Sequence, residues 1–281
     1  MLLGYNTNGF AHHDPFDALE ILAEIGYRSV AITLDHGPLN PFAADWPANL
    51  RKLKETLRRL ELRSVIETGA RYLLDPRVKH EPTLVSAAET DRGRRIDFLK
   101  RAIDAAAELD SDCVSLWSGI QRDEAADEAV LERLAEALRV VLRHATNSGV
   151  TLGFEPEPGM FIDTLRSFHR LMQWIDAPHL QLTLDVGHLW CNGELPIADY
   201  VHRWGPRIVN VHIEDMKAGV HEHLMFGEGE MRFAPILEAL AKARYRGGLH
   251  VELSRHSYDA PLIAKRAYEF LRPLVEKAES H

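Results

Sequence analysis

The chain has 281 residues, of which 46% are apolar, 8% aromatic and 27% charged. That balance is globular, with enough apolar residues for a sizeable core, and it excludes collagen-like, low-complexity and disordered classes. A formal net charge of -9 argues against a protein that lives by gripping nucleic-acid backbones, and no apolar run approaches the ~20 residues of a membrane span.

Short apolar runs alternate with longer amphipathic ones. LLGYNT (2–7) is followed by a helical pattern over 15–25, and SVAITL (29–34) by one over 46–60. LRSVIE (62–67) leads into a long connection, 68–90, and then a helix over 91–109 with Ile96, Leu99, Ile103 and Ala106 at helical spacing. DCVSLW (112–117), VTLGFE (150–155) and LQLTLD (180–185) alternate with helical stretches over 127–147, 163–175 and, shorter, 196–204. IVNVHI (208–213) and GLHVEL (248–253) complete the set, with helices over 233–243 and 261–278. The apolar runs have strand length and lack clean alternation, as parallel strands buried on both faces do. Eight strand–helix units predict an α/β fold: a single (β/α)8 TIM barrel over residues 1–281, with a long loop after the third strand. An open doubly wound sheet would carry a glycine-rich phosphate loop after its first strand, and NTNGFAHHDP is not one.

Cys113 and Cys191 stand far apart, in no metal-like spacing, so a disulfide framework is not expected. The first residues lack the basic start and apolar run of a signal peptide. The expectation is a soluble cytoplasmic protein with no nucleic-acid or membrane partner.

A barrel builds its active site at the C-terminal ends of its strands. The polar residues there are Asn6 and Asn8, Asp35 and His36, Glu67 with Arg71, Trp117 and Ser118, Glu155 and Glu157, Asp185 with His188, His212 with Glu214 or Asp215, and Glu252 with Arg255 and His256. Glu155, Asp185, His212 and Glu252 occupy matching places on four successive strands. Three carboxylates and an imidazole converging on one mouth would repel without a cation. An oxygen-rich set with one nitrogen suits one divalent ion, Mn, Mg or Co, with Zn as an alternative. Trp117 either stacks on a ligand face or closes the barrel. Arg71 and Lys79, on the long loop, have the chemistry to bind a carboxylate or phosphate.

LQLTLDVGH (180–188), NVHIEDMKAGVHEHLMFGEGE (210–230), GFEPE (153–157) and HVEL (250–253) are, in this order and spacing, sharper than the register alone. Together they resemble the xylose isomerase-like TIM-barrel superfamily. That group holds sugar and sugar-phosphate isomerases and epimerases, inosose dehydratase-like enzymes and endonuclease IV-type repair enzymes. The resemblance implies a carbohydrate-like small-molecule substrate. It makes Glu155, Asp185, His212 and Glu252 the metal ligands, with Glu155 and Glu252 also the catalytic acid/base pair working through an enediolate. It makes His188 a substrate contact, or, with His221 and His223, part of a second metal site. Glu67, Arg71, Trp117 and Lys217 are further substrate-binding candidates. The chain departs from the pattern twice. Met216, Lys217 and Ala218 stand where epimerases often have an Arg, leaving Lys217 as a substitute. Glu67 and Trp117 stand where the nucleases have histidine ligands, which weakens the multi-metal phosphodiesterase alternative. Barrels of this kind often pair as homo-oligomers, although no isologous patch is visible in the sequence.

Overall fold

The computed structural model describes residues 1–175, 177 and 179–280. The predicted runs become strands β1 (Leu2–Asn6), β2 (Ser29–Thr33), β3 (Arg63–Glu67), β4 (Val114–Leu116), β5 (Leu152–Phe154), β6 (Leu180–Asp185) and β7 (Ile208–Ile213). A hairpin follows, β8 (Asp215–Lys217) and β9 (Val220–Leu224), and then the last barrel strand, β10 (Gly248–Val251). The eight barrel strands pair in parallel around a closed ring, β1 meeting β2 on one side and β10 on the other. Helices α1 (Pro15–Ile25), α2 (Trp46–Leu60), α3 (Glu89–Leu109), α4 (Asp127–Asn147), α5 (Leu165–Trp174), α6 (Val186–Cys191), α7 (Ile197–Trp204), α8 (Phe233–Lys242) and α9 (Ala260–Glu279) connect the strands. The fold is the expected TIM barrel. Among the described residues no helix is long and apolar enough to cross a membrane.

Local chemistry sets the boundaries. The Asp14 carboxylate accepts from Phe16 N at the start of α1, and Pro15 occupies the first turn, where its missing N–H costs nothing. The helix ends at Gly26, φ 122°, where a Cβ would also run into the Tyr268 ring. Thr164 and Ser167 form a reciprocal capping box at the start of α5.

Strand residues alternate between two environments. One set meets the helices: Ile32, Ile66, Leu116, Phe154, Leu184 and Val251 join Leu22, Leu99, Leu138 and Leu271 in one buried core. Truncating such a leucine to alanine costs about 2–5 kcal/mol. The other set faces the barrel axis and is small or polar. Ala31, Val65 and Cys113 form a separate small cluster there. The Ser29 hydroxyl donates to His250 Nε2 at 2.8 Å, and His250 Nδ1 donates to Asn210 Oδ1 at 2.7 Å. An amide oxygen can only accept, so the His250 proton sits on Nδ1. Gly4 and Gly248 make room for this ring, because a Cβ on either would overlap it.

Two elements depart from expectation. The stretch after Asp185, to which the pattern assigned no element, is a short helix, α6. The segment after His212 is the β8–β9 hairpin, a two-stranded sheet of its own. The long connection after β3 packs inward through Leu74, Leu84 and Val85, all buried.

Candidate active site

His212 stands at the centre of the strand ends. Its Nδ1 lies 3.1 Å from Glu155 Oε1, 3.0 Å from Glu252 Oε2 and 3.9 Å from Asp185 Oδ2. Its Nε2 lies 2.9 Å from Glu67 Oε1, which also accepts from Asn210 Nδ2 at 3.1 Å. Nε2–H donates to Glu67, so a cation that displaced the Nδ1 proton shared with the carboxylates would meet Nδ1 as its ligand atom. Burial works against a charged ring, but Glu155, Glu67 and Glu252 outweigh it and hold the His212 pKa well above its ordinary value. Burial raises Glu155 to about 8 against the opposing pull of His212. On Glu252 burial also works upward, but the charge and hydrogen bond of His212, with His223 and His188, bring it below the usual carboxylate range.

Asp185 divides its labour. Oδ1 accepts from His188 N at 2.8 Å and caps α6, so the helix begins at the candidate ligand itself. Oδ2 is buried and meets no N–H donor, and the same is true of both oxygens of Glu214, which is fully buried beside it. Burial first, then the charges of Asp185 and Glu252, push the Glu214 carboxyl well above its ordinary range.

Beside this floor lies a triad of imidazoles. His188 Nδ1 donates to Pro156 O at 3.2 Å and His223 Nδ1 donates to Glu252 O at 3.1 Å. Both rings are thereby left with a bare Nε2. His188 Nε2 stands 3.1 Å from His221 Nε2. Burial holds His188 down to about 4 and lowers His221, so both rings are neutral at pH 7. His221 and His223 are brought here by β9, and α6 brings His188.

These groups line a cavity of 350 Å³ together with Glu67, Arg71, Lys79, His80, Trp117 and Arg255. Trp117 is a buried wall, backed by the Arg95 guanidinium 4.2 Å from its ring centre. Lys217 is exposed on β8 and is not among the lining residues. A larger groove, 630 Å³, lies between α1 and α9 and holds none of the strand-end residues. Asn8, named at the end of β1 but given no role by the sequence, donates from Nδ2 to Glu252 Oε1 at 2.8 Å. Glu214 was likewise named without a role, and Asn210 was not singled out; they lie two residues to either side of His212 and become meaningful only once the neighbouring strands are in place.

The donor set fits a divalent cation. One ligand atom each from Glu155, Asp185, His212 and Glu252 lies within 4.8 Å of the others, and the Asp185 oxygen with no N–H donor is one that a cation would satisfy. His188, His221 and His223 form a second such group, and Asp185, Glu214 and His223 a third.

Fold and site together define a (β/α)8 barrel with carboxylates and imidazoles gathered at the C-terminal ends of its strands. Residues 19–274 match the family model described as xylose isomerase-like TIM barrel, and the chain belongs to that family. It is 27% identical over 230 residues to protein MJ1311 of Methanocaldococcus jannaschii, covering 74% of this chain and 76% of that one. It is 23% identical over 267 residues to the L-ribulose-5-phosphate 3-epimerase UlaE of Shigella flexneri, covering 93% and 90%. Among solved structures, a D-tagatose 3-epimerase-like protein superposes with a TM-score of 0.76 at 24% identity, over 97% of this chain and 99% of that one, a likeness of fold.

Proposed function

We propose that the protein is a divalent-metal-dependent isomerase of the epimerase kind, acting on a small sugar, sugar phosphate or related polyhydroxy carbonyl compound. The observation that carries the reading is the pair Glu155 and Glu252, both in contact with His212 Nδ1, beside an Asp185 oxygen that meets no N–H donor. The match to sugar epimerases over most of the chain supports it. Glu155, Asp185, His212 and Glu252 would hold the ion, Mn, Mg, Co or Zn, which polarises a carbonyl and offsets the charge of an enediolate. One glutamate takes the proton from the carbon beside the carbonyl and the other returns one. Return to the same carbon from the other face inverts it; return to the neighbouring carbon moves the carbonyl; loss of a hydroxyl from the same enediolate would be the dehydratase outcome. His188, bare at Nε2, accepts from a substrate hydroxyl and orients it, and Trp117 supplies an apolar wall.

Solvent deuterium exchange into a panel of ketoses, inososes and their phosphates tests this. Exchange is expected for wild type and lost in Glu155→Gln and Glu252→Gln; an active double variant refutes the pairing. A second reading, a multi-metal phosphodiesterase, is favoured by the imidazole triad. Elemental analysis separates the two: about one ion per chain supports the sugar chemistry, and two or three support phosphate-ester cleavage.

A further inference from the structure

The cavity is charged unevenly. Its floor carries Glu67, Glu155 and Glu252, whereas the wall made by the loop between β3 and α3 carries Arg71 and Lys79. Other basic side chains nearby are neutralised: Arg122 pairs with Glu81 at 2.6 Å and Arg255 with Glu222 at 2.9 Å. Among the described residues, no carboxylate lies within ion-pair distance of Arg71 or Lys79. The carboxylate that Lys79 does act on, Glu157, lines the same cavity beyond ion-pair distance.

Arg71 is held in place rather than waving in solvent. Its Nη2 donates to Asn8 O at 3.0 Å, and Asn8 Nδ2 in turn donates to Glu252 Oε1 at 2.8 Å. The guanidinium is therefore fixed one residue from the proposed acid/base pair, with N–H groups to spare. A third cation reinforces the wall from behind. Arg95 is fully buried against Trp117; one N–H donates to Thr68 O at 2.6 Å, while Nε and Nη1 meet no acceptor. A buried cation with no carboxylate in ion-pair contact, Glu81 acting on it only at longer range, raises the positive potential of the surface in front of it.

Taking the site as a carbohydrate isomerase, we propose that this wall is an anion subsite. The substrate bears a terminal oxyanion, a phosphate ester or a carboxylate, which Arg71 and Lys79 hold while its carbonyl end meets Glu155 and Glu252. Arginine grips such groups through paired N–H donors, and lysine adds a point charge.

Dissociation constants of three matched ligands test the assignment: a ketopentose, its 5-phosphate, and the keto acid with a terminal carboxylate. They are measured by calorimetry on metal-loaded wild type, Lys79→Met and the Arg71→Met/Lys79→Met double variant, with inorganic phosphate as a fourth ligand. In wild type at least one anionic sugar should bind roughly tenfold or more tightly than the neutral one, the scale of one charge-assisted hydrogen bond. The ratio should shrink in Lys79→Met and approach one in the double variant. The preferred anion tells ester from acid. A merely structural loss would weaken all three sugars and leave the ratio unchanged, which overturns the proposal, as does a ratio near one in wild type. If no sugar binds, the carbohydrate reading fails separately. Inorganic phosphate then decides the subsite: binding that is lost in the double variant supports it, and absent or unaltered binding overturns it.

Discussion

Acidification should destabilise this fold through one buried ring. His250 is fully buried on the barrel axis, and its pKa is held down to about 3 from an ordinary 6.5, first by burial and then by the charge of His212. Between those two values the unfolded chain carries a proton on this residue that the folded chain refuses. Stability contributed by the neutral ring is therefore full above the unfolded pKa and falls as the pH drops below it. At about pH 5 the loss is about 2 kcal/mol, and it keeps growing down to the folded pKa. His250→Gln removes the titration while keeping a side chain that can reach Ser29 and Asn210. Urea unfolding of both proteins at about pH 7 and about pH 5 provides the assay. The wild-type free energy should fall by about 2 kcal/mol more than that of the variant over this interval. Parallel losses in the two proteins would refute the account, since the other histidines are common to both.

Glu67→Ala removes the acceptor for His212 Nε2–H. It should weaken divalent-metal affinity by roughly 10–100-fold, measured by Mn titration, without changing the circular dichroism spectrum. Gly187→Ala places a Cβ against Glu214 Oε1 and Met216 Cε. With Glu214 fully buried, the strain should cost about 1–3 kcal/mol in thermal unfolding, and Glu214→Ala in the same chain should recover part of it.

The barrel was legible because each of its strands is a compact apolar run followed by an amphipathic one, so the repeat itself carried the topology. Glu155, Asp185, His212 and Glu252 could be named together because a barrel brings all its strand ends to one rim. The short helix α6 escaped notice because six residues, one of them Gly187, are too few for a 3.6-residue period to register. The β8–β9 hairpin escaped because DMKAGVHEHL has no β-branched run. It is shaped by Asp215, whose carboxylate accepts from Met216 N, Gly227 N and Met231 N, contacts that depend on residues up to sixteen positions away. The inward-facing Ser29, Asn210 and His250 lie inside apolar runs, where the apolar average hides them. Lys217 was a candidate because it stands where epimerases often have an Arg, but at the end of β8 it is exposed to solvent.

The hairpin has a consequence for how such a protein diverges. The proposed proton-transfer pair sits at the mouth of the closed ring, where Glu155 and Glu252 are fixed by neighbours on either side. His221 and His223 are mounted on a ribbon that forms no ladder with that ring. Replacing the ribbon would exchange two of the three imidazoles at the mouth without disturbing a single barrel pairing. The carboxylates of the ring and the imidazoles of the ribbon are thus carried by separable stretches of chain, so selection can rewrite one set while the other is conserved.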